Sequence, residues 1–120
     1  MTLRFASLGS GSRGNALLVE YRDTLVMVDC GLTLKATCQR LKALDRDPSD
    51  ISALVVTHEH GDHISGVARL ARRYQIPVAM TPGTAHAAGF DGELRLINCH
   101  QLFQIGDLQV QPFPFPHDAR

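Results

Sequence analysis

The stretch that most constrains this chain is "ISALVVTHEHGDHISGVARLARRY", residues 51–74. An apolar run ends in three histidines and an aspartate within six residues, and an amphipathic pattern follows. "ALVVT" reads as a short strand of the kind buried on both faces. Side chains two residues apart on a strand leave the same face, so His58 and His60 project together while Glu59 points away. Gly61 is expected to turn the chain sharply, bringing Asp62 and His63 back to the same point at a helix start. Ile64, Val67, Ala68, Ala71 and Tyr74 then recur at helical spacing, with Arg69, Arg72 and Arg73 mostly on the other side. The result is two imidazoles from a strand end facing a carboxylate and a third imidazole from a helix. Such nitrogen and oxygen donors suit zinc, with manganese or iron as alternatives. A merely solvated turn accounts poorly for three of the chain's six histidines in one place.

The rest of the chain supplies a frame for this turn. "LRFASL" and "NALLVEY" are strand-like and flank the Gly/Ser segment "GSGSRG"; with "TLVMVD", residues 15–29 predict a hairpin. Thr33 is placed to cap a helix carrying Leu34, Cys38, Leu41 and Leu44, which "DRDPSD" ends. "IPVAM" is a further strand and "TPGTAHAAG" a turn with one helical turn. "ELRLI", "HQLFQIG" and "LQVQPFPF" alternate polar and apolar residues as strands do. Strands and helices mixed in this way indicate an α/β layered domain.

More ligands are needed than one turn provides. His117, in "FPHDA", would complete a His₃ set with His58 and His60, the arrangement that leaves a position open for water. His86 and His100 are weaker candidates. Asp29, at the end of "VMVD", is read as orienting the metal-binding turn, with a plain strand-end cap as the alternative. Cys30 beside it is either a thiolate ligand or a buried inert thiol, the second being the ordinary case. The loop "GSGSRGN" is either an anion-binding concavity to which Arg13 adds charge, or a flexible connection between edge strands.

"THEHGDH" has the form T-H-x-H-x-D-H and resembles the signature of the metallo-β-lactamase fold superfamily. Together with "SLGSGSRGNALLVE", "DCG", "LVVTHEHGDHISGVARLARRY" and "PFPFPHDA", it resembles the WalJ/YycJ-like hydrolases, relatives of nucleases of that fold. The resemblance implies that residues 1–120 form one apparently truncated domain, the N-terminal half of an αββα sandwich. It implies that His58, His60 and His117 hold one zinc ion, with Mn²⁺ or Fe²⁺ as alternatives. Asp62, also assigned to catalysis, and His63 contribute to a second ion. Asp118 matches the family's "HDA" and is not the bridging aspartate that the family places later. That aspartate and a late histidine are absent from the sequence. The implied function is therefore a phosphodiesterase or exonuclease on nucleic acid, DNA favoured, with these 120 residues alone weakly active or inactive. The alternatives are a thioesterase or lactonase of the glyoxalase II kind, and a non-catalytic metal-binding half-domain prone to self-association.

Composition limits these readings. Lys+Arg 12 against Asp+Glu 12 leaves no formal charge, so no electrostatic footprint for a polyanion shows. No apolar run approaches the roughly 18 residues of a membrane span. The three cysteines read as reduced thiols, and a cytoplasmic setting is expected.

Overall fold

Apolar residues alternating along the central strands divide the core between two faces of one sheet. The computed structural model describes residues 2–90 and 92–113. An antiparallel meander comes first: β1 (Arg4–Gly9), β2 (Ala16–Tyr21) and β3 (Thr24–Val28). Three parallel strands follow, β4 (Ala53–Val55), β5 (Val78–Met80) and β6 (Leu94–Leu96), giving a six-stranded sheet in chain order. The crossovers carry α1 (Leu34–Ala43), then α2 (Gly61–Ile64) with α3 (Val67–Tyr74), and then α4 (Pro82–Ala88). A hairpin of β7 (Phe103–Ile105) and β8 (Leu108–Val110) forms a second, two-stranded sheet.

Leu25 and Met27 of β3 pack with Leu54, Val78 and Met80 against Leu41 of α1 and Val67 and Leu70 of α3. Val26 and Val28 point the other way and meet Val55, Ala79 and Ile105, with Phe103 and Leu108 of the hairpin. Helices therefore cover one face and the hairpin part of the other. Phe5, on edge strand β1, remains 76% exposed. Thr24 Oγ1 accepts from Asp107 N at 2.8 Å, and Arg95 Nη1 donates to Gln104 O at 2.7 Å, fixing the hairpin to the sheet at two points.

Two local expectations are corrected. The expected continuous helix through Ile64 and Tyr74 is broken at Ser65–Gly66, and Ala68 is exposed. The break arises because Gly66 N donates to Cys30 O at 2.8 Å and Ser65 Oγ to Gly31 O at 3.1 Å. A side chain at Gly66 would overlap Leu32 O, and one at Gly31 would overlap the backbone of Asp62. The two segments thus touch backbone to backbone, which only glycine permits. The second correction concerns "TPGTAHAAG", which forms the full helix α4. Thr81 caps it through Thr84 N, Pro82 begins it, and Gly89 ends it in the left-handed region at φ 62°.

At the end of the sheet where β1 begins, Glu20 Oε1 accepts from Arg46 Nη2 at 2.8 Å and from Arg4 Nη2 at 2.5 Å. Hydrogen bonding to Arg46 is the main reason its carboxyl is held at about 2 against an ordinary 4.5. Partial burial opposes that shift and Arg4 adds to it. A depressed carboxyl contributes stability that is present above the unfolded value and lost as pH falls through the folded one. Urea titrations between pH 5 and pH 2 are expected to show that loss in the native protein. Glu20→Gln should flatten the profile by about 1 kcal/mol, as suits a partly exposed ion pair. Gly31→Ala is expected to cost about 3 kcal/mol, the upper end of overpacking, read as a fall in the urea midpoint at constant slope.

Candidate metal centre

β3 and β4 run parallel, so their C-terminal ends place Asp29 and Thr57 side by side. Asp29 N donates to Val55 O at 2.7 Å and prolongs the ladder by one residue. The chain then leaves the sheet with Asp29 at φ 61°, a left-handed conformation that aspartate tolerates better than most residues. Its buried carboxylate takes three contacts. Thr57 N donates to Oδ1 at 2.7 Å, Thr57 Oγ1 donates to Oδ2 at 2.5 Å, and His63 Nδ1 lies 2.7 Å from Oδ2. Among the described residues, no buried side-chain nitrogen or oxygen lacks a hydrogen-bond partner.

These contacts fix two tautomers. An ionised carboxylate only accepts, so the proton of His63 sits on Nδ1 and Nε2 carries the lone pair. The single hydroxyl proton of Thr57 goes to Asp29, so His58 Nδ1, 2.9 Å from that hydroxyl, must be the donor there. His58 likewise has its lone pair on Nε2. The His58 and His63 rings lie 4.5 Å apart between centroids, and the His58 and His60 rings stack at 6.0 Å with 22° between planes. The shared direction of His58 and His60 is that expected of residues two apart on an extended chain.

Asp62 Oδ2 lies 3.6 Å from His63 Nε2. Two ligands about 2.1 Å from one tetrahedral ion stand ~3.4 Å apart, so this pair already has the separation that one ion between them requires. Single ligand atoms of Asp29, His58 and His63 also fall within 4.8 Å of one another. Asp29 spends its oxygens on Thr57 and His63, which favours orienting the imidazole over binding an ion directly. The donor set fits a divalent cation.

Asp29, His58 and His63 are thus brought together, Asp62 lies beside His63, and His60 stands farther off, its ring 6.0 Å from that of His58. His117 and Asp118 lie outside the described residues. His86 is exposed on α4, and His100 is exposed in a turn closed by its own N–H on Asn98 Oδ1. Cys30 is fully buried, its Sγ 3.4 Å from Thr37 Oγ1, and burial pushes its thiol up. That favours the inert-thiol reading. Gly61 does not make the turn expected of it: its φ is not positive, and a side chain there would meet nothing. The turn is made by His60, extended at ψ 146°, handing over directly to α2. Thr57 and Asn15 are contributors that sequence reasoning missed; only their adjacency to "HEHGDH" and to the glycine loop marks them.

A family model for the metallo-beta-lactamase superfamily matches residues 9–119, and the chain belongs to that superfamily. It is 36% identical over 99% of its length to exodeoxyribonuclease YycJ of Bacillus anthracis, covering 47% of that protein. It is 33% identical over 97% of its length to exodeoxyribonuclease WalJ of Streptococcus pneumoniae, covering 46%. The chain spans about half the length of these curated relatives. Among solved structures, the Rm3 metallo-beta-lactamase superposes at a TM-score of 0.73 with 22% identity over 88% of this chain and 46% of that one, a likeness of fold. The helix-covered sheet with a second sheet on its other face is consistent with part of the αββα sandwich. The fold implies divalent metal binding. No helix among the described residues is long and apolar enough to cross a membrane.

Asp29→Asn is expected to weaken Zn²⁺ binding roughly 10–100-fold, because it disturbs the carboxylate that sets the His63 tautomer. Competition against a chromophoric chelator measures this, with far-UV circular dichroism as the check on folding. Unaltered affinity would show that Asp29 does not act through His63.

Proposed function

We propose that this chain carries the metal-binding portion of a zinc-dependent phosphodiesterase that degrades DNA as an exonuclease. The observation that carries the reading is the Asp29-anchored cluster of His58, His60, Asp62 and His63, in a chain so similar to two exodeoxyribonucleases over nearly its whole length. In this reading His58 and His60 hold one ion together with His117, while Asp62 and His63 hold a second. Mn²⁺ and Fe²⁺ suit the same donors. Bound divalent ions supply Lewis acidity and lower the pKa of the attacking water.

The residues of the chain have defined parts around that chemistry. Asp29 keeps the His63 proton on Nδ1, so the imidazole meets a cation with its lone pair. Thr57 does the same for His58 while giving its own proton to Asp29. Asp62 presents a carboxylate oxygen to the same space and can take up a proton released there. With Lys+Arg balanced by Asp+Glu, the net charge of these 120 residues adds no overall attraction for the DNA backbone. The three free cysteines suit a cytoplasmic setting.

The test is to supply the whole protein, loaded with Zn²⁺ or Mn²⁺, with 5′-phosphorylated duplex DNA and separately with a glutathione thioester. Stepwise release of nucleotides is expected, abolished by a chelator and restored by metal. Efficient thioester hydrolysis with intact DNA would overturn the reading. The 120 residues alone are expected to be weakly active or inactive, since Asp62 and His63 are too few donors for the second ion. Turnover equal to that of the whole protein would contradict this.

A further inference from the structure

The glycine loop before β2 reaches the metal centre through one side chain. Asn15 N donates to Asp62 O at 2.7 Å, and Asn15 O accepts from Gly31 N at 3.0 Å, so its backbone belongs to the crossing of three segments. Its side chain does something separate. Gly11 N donates to Asn15 Oδ1 at 3.1 Å, and Asn15 Nδ2 donates to Gly11 O at 2.9 Å. A backbone N–H can only donate, so this pair settles which end of the amide is oxygen. The NH₂ end therefore faces Asp62. It lies 3.1 Å from both Asp62 O and Asp62 Oδ2. Oδ2 is the same atom that stands 3.6 Å from His63 Nε2.

We infer that Asn15 is a positioning residue for Asp62: its amide N–H holds the carboxylate at the span from His63 that a shared cation requires. The inference rests on the reading of Asp62 and His63 as metal donors. An acid that directly follows a glycine, as Asp62 follows Gly61, could swing; here it is held through both its backbone and its side chain. Gly11 locks the amide, the amide locks Oδ2, and the Asp62 backbone is locked by Asn15 N. A carboxylate held before the ion arrives loses less rotamer freedom on binding it. The loop from Ser10 to Arg13 is consequently tied to the metal centre, in place of the flexible connection that its composition allows.

A double-mutant cycle with Co²⁺ as probe tests this on the purified protein, following the visible d–d absorption. Asp62→Ala is expected to weaken Co²⁺ binding and change the absorption; if it does neither, the metal reading of Asp62 fails whatever Asn15 does. Given that loss, Asn15→Ala should weaken Co²⁺ binding on the order of tenfold. The same substitution in the Asp62→Ala background should add nothing, which is the signature of an action through Asp62. The thermal midpoint of Asn15→Ala should fall only slightly, because its backbone bonds remain. Three results would overturn the inference: an unaltered Co²⁺ affinity, an equal loss in both backgrounds, or a variant that loses folding along with binding.

Discussion

The carboxylate of Asp29 is the contact on which the arrangement around it depends. It lies where two parallel strands end, and it joins three segments that sequence separates: the end of β3, the second residue after β4, and the short helix α2. Burying a carboxylate is costly unless its lone pairs are used, and here two hydrogen bonds from Thr57 and one from His63 use them. The partners that make the burial tolerable are also those that aim the imidazoles. Stability of the turn and chemistry of the site therefore share one group.

Around that carboxylate, the backbone does the work of holding distance. Gly31 and Gly66 let the segments after β3 and after α2 come into direct contact, and Asn15 adds a third strand of chain to the same crossing. Side chains could not produce so close an approach, because each would need room of its own. Ligands carried on such a crossing keep their spacing through packing of rigid backbone. This is the condition under which a metal site gains most from preorganisation.

Much of this was legible in the sequence, for reasons that differ between parts. "TLVMV" marked one strand of a hairpin, and the apolar run "ALVV" marked a strand buried on both faces, because such burial leaves no polar position. The spacing of His58 and His60 carried over directly, since a period of two survives whatever the strand packs against. The break at Ser65–Gly66 was not legible: Ile64 and Val67 satisfy a helical period on both sides of it, and the cause is a distant contact with Cys30 and Gly31. Asn15 was hidden for the same reason, its partner Asp62 lying 47 residues away. Gly61 was misleading, because a glycine beside a turn suggests the hinge when the hinge is His60.

β3 has one more consequence. Its residues are read by two cores at once, Leu25 and Met27 by the helices, Val26 and Val28 by the hairpin. A slip of one position would exchange the two sets and turn every side chain to the wrong layer. The same slip would carry Asp29 about 3.3 Å along the strand axis, beyond reach of Thr57 and His63. Two hydrophobic layers thus act as a vernier for the acid at the strand's end, and the position of a polar centre is set by apolar packing along the strand that leads to it.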